Sequence, residues 1–318
     1  MPYNDGFIPW LPHRRLNLVQ IMTTSVCNAR CIMCPYRSSW HYKHPGYMQD
    51  DLYEKILNDI AEYDPEFDGK FCPYLMNEPF ADKKIIERAE LAYNILHNPY
   101  VEFSSNMELL NEDIIDDLYD MFKRHGFWGK FTISHHGINK ETCERIMGIN
   151  YEKALNNIIY FLQKFQGKMK ISIQDMAYSI DKRYVLNHPR QVKRYLVKIL
   201  TENGIDPDKL IIDPKIFHNR AGNVNIEGWN YDKIVRKIDK DHPFDCLRIH
   251  GCLHVLYNGE VVLCCMDYKK EVVIGDLKRM SVKELFESER WLEVKKMVKG
   301  EIETPDDFIC KRCLSPGG

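Results

Sequence analysis

The stretch TTSVCNARCIMCPY, residues 23–36, carries three cysteines, Cys27, Cys31 and Cys34, on one short segment. The apolar run at residues 16–23 is typical of a buried strand, so we expect the cysteines on the loop that follows it. A structural zinc site closes four ligands, usually from two Cys-x2–4-Cys pairs, and three cysteines in this spacing fit it poorly. Three thiolates can instead bind three irons of a four-iron cluster and leave the fourth iron open.

Repeated βα units surround this loop up to about residue 215. Short apolar runs alternate with amphipathic helical patterns such as DDLYEKILNDIAEY (50–63) and NEDIIDDLYDMFKRH (111–125). Such a series favours an α/β fold with a parallel sheet wrapped by helices, either doubly wound or an incomplete barrel. In both folds, functional residues collect at the C-terminal ends of the strands. The predicted strands are residues 16–23, 70–76, 100–105, 130–135, 169–176 and 210–217.

The pattern changes after residue 220. AGNVNIEGWN (221–230) is rich in Gly and Asn and is typical of a connecting loop. The β-rich runs LHVLY and EVVLCC flank Asn258-Gly259, which is a strong signal for a hairpin with a type I′ turn. Two short helical patterns follow, and the sequence ends in CKRCLSPGG (310–318). We therefore predict a core domain at residues 1–222 and a smaller domain at residues 223–318.

Composition excludes several classes of protein. The 44 Lys+Arg against 46 Asp+Glu give a net charge of −2, which argues against binding the phosphate backbone of nucleic acids. The N-terminal stretch lacks the apolar core of a secretory signal, and no later stretch is long and apolar enough to span a bilayer. These features predict a cytoplasmic protein without membrane contact. Eleven cysteines in a reducing compartment then indicate metal ligation rather than disulfides.

Six further cysteines lie in the last third of the chain. A hairpin and a terminal Cys-x2-Cys can bring four thiolates together and close a second four-iron cluster, which then serves to move electrons. A zinc ribbon could use the same four thiolates. Adjacent strand residues face opposite sides, so only one of Cys264 and Cys265 can point inward; Cys252 is the other possible substitute. The preferred ligands are Cys246, Cys264, Cys310 and Cys313.

The first cysteine segment resembles the CxxxCxΦC signature of the radical S-adenosylmethionine (SAM) superfamily. The resemblance continues through YLMNEPF (74–80), FSSNMELL (103–110) and FTISHHG (131–137), which are similar to segments at the strand ends of that family. It implies a partial (β/α)6 TIM-like barrel with SAM across the strand tips. It also implies a 5′-deoxyadenosyl radical, formed when the cluster passes one electron to SAM. The residues that the similarity assigns to cofactor binding are Met33, Asn77, Glu78, Pro79, Asn106, Ser134 and Gln174.

The C-terminal cysteines resemble the extension called SPASM or, in its short single-cluster form, twitch. The similarity implies two [4Fe–4S] clusters, one that binds SAM and one auxiliary cluster. Within the twitch group, the segments after strands four and six are similar to aminocyclitol dehydrogenases of the 2-deoxy-scyllo-inosamine dehydrogenase type. This likeness implies catalytic roles for His136 and for Arg220, whose guanidinium can fork to substrate hydroxyls or carboxylates. The alternatives are a hydrogen-bonded structural histidine and a surface salt bridge.

The resemblance implies an oxidoreductase that dehydrogenates a small, polar, aminocyclitol- or sugar-like substrate and passes one electron to the auxiliary cluster. A peptide-modifying maturase would use the same machinery, but only 26 residues precede Cys27, which leaves little room for a leader-binding domain. An isomerase or epimerase, acting on a peptide or nucleoside, could return a hydrogen atom from Cys72 or Cys143. A non-enzymatic zinc protein is the alternative from another class. The expected electron donor is a flavodoxin- or ferredoxin-type protein.

Overall fold

The computed structural model of the protein describes residues 15–179, 188–217, 219–224 and 236–313. The strands in these ranges form one sheet in the order β6-β5-β4-β3-β2-β1-β7-β8-β9. β1 to β6 are parallel and alternate with helices, which makes the predicted partial (β/α)6 barrel. The strands are β1 (Leu18–Ile21), β2 (Lys70–Cys72), β3 (Tyr100–Ser105), β4 (Gly129–Ser134), β5 (Lys170–Ser179), β6 (Ile211–Phe217), β7 (Cys252–Val255), β8 (Glu260–Val262) and β9 (Val273–Asp276).

Several helices begin where a polar side chain caps the first turn, although the helices that begin at Asp50 and Ile85 have no such cap. The Asn111 side chain accepts a hydrogen bond from the Ile114 N–H at 2.9 Å, and Asn150 does the same for Lys153 at 2.9 Å. The helices are α1 (Trp40–Lys43), α2 (Asp50–Tyr63), α3 (Ile85–Ile95), α4 (Glu112–Arg124), α5 (Lys140–Met147), α6 (Tyr151–Phe165), α7 (Pro189–Glu202), α8 (Val282–Glu287) and α9 (Glu289–Lys299). None of the described helices is long and apolar enough to cross a membrane.

The barrel strands separate an apolar outer face from a polar inner face, because successive strand residues point to opposite sides. The outward side chains pack with the helices in one core; they include Val19, Ile21, Phe71, Val101, Phe103, Phe131, Ile133, Ile171 and Ile173. The opposite face carries Gln20, Glu102, Ser104, Lys130, Thr132, Ser134, Ser172 and Gln174. The strand register sets Ser104 beside Thr132 and Ser134 beside Gln174. The barrel therefore presents a polar inner wall.

One predicted strand is shorter than expected. The apolar run at residues 70–76 forms a strand only at Lys70–Cys72. Pro73 comes next, and it has no N–H to donate to a strand ladder. The Leu75 N–H then donates to the Asn77 side chain at 3.0 Å, which folds the chain into a turn.

The C-terminal extension continues the barrel sheet beside β1. β7 runs parallel to β1, with Gln20 opposite His254. β7 and β8 form the predicted antiparallel hairpin, but its turn is not of type I′. Gly259 has a φ of +84°, whereas Asn258 does not have the positive φ that a type I′ turn at Asn258-Gly259 requires. α8 and α9 match the two short helical patterns. The predicted connecting loop lies mostly outside the described residues.

Candidate active site

The three-cysteine loop follows β1 and lies against the C-terminal end of α5. The Arg30 N–H donates to the Met147 carbonyl at 2.7 Å, and the Ile32 N–H donates to the Ile146 carbonyl at 2.9 Å. Gly148 ends α5 with a φ of +63°, and a Cβ there would lie 2.9 Å from the Arg30 Cβ. This contact requires a glycine, so α5 and the cysteine loop fit together as one unit.

The three thiols of this loop are partly enclosed by protein. Burial raises the pKa of the Cys27 thiol, and the Glu78 carboxylate raises it further. Burial also raises the pKa of Cys31, with smaller effects from Cys34 and Cys27. Deprotonating such thiols requires nearby positive charge, which a coordinated iron supplies. Within the described ranges, no three His, Cys, Asp or Glu side chains converge on one metal ion. Thiolates of a four-iron cluster bind separate irons and need not converge.

Glu78 connects the loop after β2 to the end of β3. Its carboxylate accepts hydrogen bonds from the Ser105 hydroxyl at 2.8 Å, the Asn106 N–H at 3.0 Å and the Asn106 side-chain amide at 2.8 Å. Its own N–H donates to the Val26 carbonyl at 3.0 Å, next to the cysteine loop. Burial raises the pKa of Glu78 to about 7, although these hydrogen bonds partly lower it. The carboxylate therefore positions the surrounding backbone.

Asn28, which the sequence did not single out, extends this network. The Asn106 side-chain amide donates to the Asn28 side-chain oxygen at 2.9 Å, and the Asn28 amide donates to Glu108. The Asn150 N–H at the start of α6 donates to the same Glu108 carboxylate at 2.9 Å. The cysteine loop is thus fixed to β3 and α6 as well as to α5.

A single cavity at the C-terminal ends of the strands contains most of the predicted barrel residues. It is lined by Cys27, Cys31, Met33, Cys34, Asn77, Glu78, Asn106, Ser134, His136, Gln174 and Arg220, among others. Pro79 does not line it, because it begins the short helix Pro79–Ala81 behind Glu78. The Asn77 side-chain N–H group is buried and has no hydrogen-bond partner within the described residues. A buried donor without a partner suits a ligand with acceptor oxygens, and SAM supplies such atoms.

His136 and His135 face different surroundings. His136 lines the cavity, and burial lowers its pKa to about 3, with a further contribution from the charge of Arg220. Its imidazole is therefore neutral near pH 7 and able to accept a proton. His135 instead stacks on the Tyr195 ring, with 5.9 Å between ring centroids, and burial lowers its pKa to about 4. Of the two histidines, only His136 reaches the cavity.

The turn that carries Arg220 is held by the extension. Arg220, Ala221 and Gly222 have successive φ values of +49°, +54° and +75°. For a non-glycine residue this left-handed backbone costs about 1–3 kcal/mol, and it persists where neighbours enforce it. The Asn223 side-chain amide donates to the Arg220 carbonyl at 2.9 Å and to the Met266 carbonyl at 3.0 Å. The extension thereby fixes the point from which Arg220 enters the cavity.

The preferred auxiliary ligands are neighbours in one buried region. Cys264 and Cys310 belong to the main core, and Cys246 and Cys313 pack against it. Burial raises the pKa of Cys310, and negative charge on Cys246 and Cys313 raises it further. Burial also raises the pKa of Cys264, with contributions from Cys265 and Cys310. The four thiols therefore influence one another, as ligands of one closed cluster would.

Cys252 and Cys265 lie beside Arg248, which also lies near Cys264 and Cys246. The charge of Cys265 raises the pKa of the Arg248 guanidinium, and the two side chains are hydrogen-bonded. Burial raises the pKa of Cys252, whereas Arg248 lowers it. Cys265 also packs against the small apolar cluster that includes Cys34. Within the adjacent pair, Cys264 interacts with Cys310, whereas Cys265 is the one hydrogen-bonded to Arg248.

Two tyrosines near the first cysteines were missed by sequence reasoning. The Cys27 N–H donates to the Tyr36 hydroxyl at 2.9 Å, and Tyr36 follows the motif by only two residues. The Tyr268 hydroxyl lies 3.9 Å from the Cys34 sulfur, and its side chain lines the same cavity. Tyr268 is separated from Cys34 by 234 positions, so only the fold brings the two together.

Comparison with protein families gives two matches. Residues 21–174 match the radical SAM superfamily, and residues 246–314 match the SPASM iron–sulfur cluster-binding domain. A curated protein, putative ankyrin repeat protein R551 of Acanthamoeba polyphaga mimivirus, is 30% identical over 118 residues. That match covers 37% of this chain and 36% of the viral protein.

Solved structures share the fold at low sequence identity. BtrN in complex with AdoMet and 2-DOIA has a TM-score of 0.60 at 15% identity, over 95% of this chain and 94% of BtrN. Streptococcus suis SuiB bound to precursor peptide SuiA has a TM-score of 0.64 at 12% identity, over 89% of this chain and 67% of SuiB. The enzyme anSMEcpe with bound AdoMet has a TM-score of 0.54 at 16% identity, over 88% and 83%.

The two family matches lie on the two parts of the chain that carry the cysteine sets. The resident cofactors of this class are SAM with its [4Fe–4S] cluster and an auxiliary iron–sulfur cluster. The barrel, the cysteine loop at its strand ends and the C-terminal hairpin agree with both matches. The chain belongs to the radical SAM superfamily and is a member with a SPASM/twitch-type extension.

Proposed function

We propose that this radical SAM enzyme dehydrogenates a small polar substrate, such as an aminocyclitol or a sugar. The observation that carries the proposal is the shared cavity, in which the cysteine loop, His136 and Arg220 line one space at the strand ends. In parallel α/β folds this end of the sheet is where chemistry is done. A flavodoxin- or ferredoxin-type protein is the proposed electron donor.

Cys27, Cys31 and Cys34 are the proposed ligands of the cluster that binds SAM. When bound, this cluster and SAM supply a radical that removes a hydrogen atom from the substrate, and the auxiliary cluster accepts one electron. The chain must then take up one proton for a hydroxyl-bearing carbon to become a carbonyl. The remaining steps therefore depend on side chains that hold the substrate and accept that proton.

The proposed SAM contacts come from the loops after β1, β2 and β3. The Asn77 amide offers the unpartnered donor, while the Glu78 carboxylate holds Asn106 in place by accepting two of its hydrogen bonds. Met33 adds an apolar, 3% exposed side chain to the same wall. Ser134 and Gln174 lie across the cavity on β4 and β5, from where they can contact SAM or substrate.

The inner barrel wall favours a substrate with several hydroxyl or amino groups. Ser104, Thr132, Ser134, Ser172 and Gln174 all lie on this face. Of these, Ser104, Ser134 and Gln174 line the cavity, where a substrate can reach them. Buried hydroxyls and amides retain their hydrogen-bonding requirement, so an apolar substrate would leave such groups unsatisfied. A polyhydroxylated molecule meets that requirement.

His136 and Arg220 have complementary proposed roles. His136 is proposed to accept the hydroxyl proton of the substrate. Its lowered pKa keeps the imidazole unprotonated near pH 7 but makes it a weak base, so the proton is transferred once loss of the electron has made that hydroxyl strongly acidic. Arg220 stays charged and can donate hydrogen bonds to a substrate oxygen on which negative charge develops. Its strained turn fixes the origin of the side chain, which limits the positions that the guanidinium can reach.

The auxiliary site is proposed to use Cys246, Cys264, Cys310 and Cys313. Four thiolates close all four irons, which leaves no position for substrate and suits electron transfer. The loop after β8 carries Cys264 and Met266, and Met266 contacts Arg220 at 3.8 Å between sulfur and guanidinium nitrogen. Cys264, a proposed ligand of the electron-accepting cluster, thus lies on the same loop as Met266, which contacts Arg220.

A peptide substrate is the second candidate. It is supported by the SuiB structure, which was determined with a precursor peptide, although that likeness shows the fold alone. A peptide would enter an open barrel mouth and present one side chain, whereas a small molecule would occupy the polar wall. The two candidates therefore predict different effects of shortening the inner-wall side chains.

The test is an anaerobic assay of reduced, reconstituted enzyme with aminocyclitols, amino sugars and model peptides. We expect one oxidised small-molecule product per SAM cleaved, with deuterium transferred from the substrate carbon to 5′-deoxyadenosine. Arg220→Ala should lower product formation at least about tenfold, the loss of roughly 1.4 kcal/mol of transition-state binding, and spare uncoupled SAM cleavage. Arg279→Ala, at a side chain 86% exposed, is the matched control. Oxidation of peptides alone would contradict the proposal.

A further inference from the structure

We propose that Tyr268, a residue of the C-terminal extension, donates a hydrogen bond to the Cys34 sulfur and raises the reduction potential of the SAM-binding cluster. The inference rests on Cys34 as a ligand of that cluster and does not depend on the substrate. It assigns the extension a second role besides holding the auxiliary cluster. Tyr268 is therefore a positioning residue that acts through the cluster thiolate.

The loop that carries Tyr268 is tightly fixed. The Asp267 carboxylate accepts hydrogen bonds from the N–H groups of Glu271 at 2.7 Å and Val272 at 2.9 Å. The Asp267 N–H donates to the Cys264 carbonyl at 3.0 Å. Asp267 is itself 1% exposed, so these bonds are protected from water. The loop conformation, and with it the direction of Tyr268, is set by residues of the extension.

Both the backbone and the side chain of Tyr268 touch the barrel. Its carbonyl accepts a hydrogen bond from the Trp40 N–H at 2.8 Å, at the start of the helix that follows the cysteine loop. Its ring lies beside His41, with 5.9 Å between ring centroids, and its side chain is 7% exposed. The hydroxyl then lies 3.9 Å from the Cys34 sulfur, within hydrogen-bond range for sulfur.

The direction of this hydrogen bond follows from the chemistry of the two groups. A thiol bound to iron has lost its proton, so Cys34 can only accept. A tyrosine hydroxyl can donate, since its ordinary pKa lies near 10. Cys31 differs, because its sulfur lies 3.9 Å from the Met147 carbonyl, which is an acceptor. In the described part of the chain, Tyr268 is the side-chain donor near these three sulfurs.

Hydrogen bonds to cluster sulfurs change the reduction potential. Reduction adds negative charge to the cluster and its thiolates, and a donor at a sulfur stabilises that charge. Tyr268 should therefore make the SAM-binding cluster easier to reduce. Since the loop is anchored at the Cys264 carbonyl, ordering of the auxiliary site also orders this donor. Radical formation would thus be favoured when the extension is correctly assembled.

The test is a redox titration of the SAM-binding cluster in the Tyr268→Phe variant. Electron paramagnetic resonance monitors the reduced cluster, and SAM is absent. The substitution keeps the ring and removes only the donor. We expect unchanged iron content and a midpoint potential shifted to more negative values than in wild type. An unchanged midpoint with full iron content would overturn the proposal. Loss of the cluster would also overturn it, since Tyr268 would then be structural.

Tyr257→Phe is the matched control. Tyr257 is also in the extension, and its hydroxyl donates to the His44 carbonyl at 2.7 Å rather than to a cysteine sulfur. The midpoint potential of the Tyr257→Phe variant should equal that of wild type. An equal shift in the two tyrosine variants would mean that any loss of a hydrogen bond in the extension changes the potential, and it would contradict the proposal. A shift that requires SAM would likewise contradict it. Cys34→Ala separates this test from the ligand assignment, because that variant should lose the cluster itself.

Discussion

The two cysteine regions differ in how their thiols come together. Cys27, Cys31 and Cys34 lie on one loop and line an open cavity. Cys246, Cys264, Cys310 and Cys313 are distributed over residues 246–313 and pack in or against the core. The first set is specified by local spacing, whereas the second requires the hairpin and the terminal turn to fold first. An open site can thus be encoded locally, while a closed one depends on tertiary structure.

The regions also differ in what supports them. The first loop donates backbone hydrogen bonds to carbonyls of α5, and its Asn28 side chain accepts a hydrogen bond from Asn106. The second is supported by the buried carboxylate of Asp267 and by the Arg248 guanidinium beside Cys265. The loop around residues 264–268 contacts both regions, through Cys264 on one side and Tyr268 on the other. This loop is where a change in one region can affect the other.

The largest effect is expected for Cys31→Ala. Removing one of three ligands should prevent assembly of the open cluster, so reductive SAM cleavage should fall to the background rate. The measurement is 5′-deoxyadenosine formation with excess reductant. Cys143→Ala is the control, because Cys143 is buried in α5 and does not line the cavity. Equal loss in both variants would contradict the ligand assignment.

A smaller, selective effect is expected in the second region. Cys264→Ala should remove about four irons and stop product formation while uncoupled SAM cleavage continues. Cys265→Ala should keep its iron, since Cys265 pairs with Arg248 rather than with Cys310. Iron analysis and product assays on the two neighbouring variants make the comparison direct. Loss of iron in Cys265→Ala but not in Cys264→Ala would make Cys265, and not Cys264, the cluster ligand.

The smallest effect concerns pH and the strand that joins the two regions. His254 on β7 is 1% exposed, and burial lowers its pKa from the usual 6.5 to about 3. Its contribution to the free energy of unfolding is present above pH 6.5 and is lost as the pH falls towards 3. At pH 5 the loss is about 2 kcal/mol. Anaerobic denaturant unfolding at pH 7 and pH 5 should show a smaller decrease for His254→Gln than for wild type. Equal decreases in the free energy of unfolding of the two proteins would contradict the lowered pKa of His254.

Much of the fold could be predicted from the sequence, because hydrophobic periodicity dominates it. The alternation of apolar and polar residues located six parallel strands, and Asn258-Gly259 located the hairpin. The strand at residues 70–76 was placed correctly but ends at Cys72, where Pro73 interrupts the ladder. Pairing of β7 with β1 could not be predicted, since register between distant strands leaves no local signal.

The candidate site, like the fold, was predicted where local motifs specify it and missed where distant residues meet. The motif and the strand-end segments identified the residues that share the cavity, with Pro79 as the exception. The ligand roles themselves remain predictions. Asn28 and Tyr268 were not identified, because their importance comes from partners distant in sequence. The choice between Cys264 and Cys265 likewise needed the position of Arg248.

We propose that the two cysteine regions hold two separate four-iron clusters. The most direct measurement is iron and acid-labile sulfide in anaerobically reconstituted wild type and two variants. One variant replaces Cys27, Cys31 and Cys34 by alanine; the other replaces Cys246, Cys264, Cys310 and Cys313. We expect about eight irons in wild type and about four in each variant. About four irons in wild type and none in the first variant, with zinc in the extension, would contradict it.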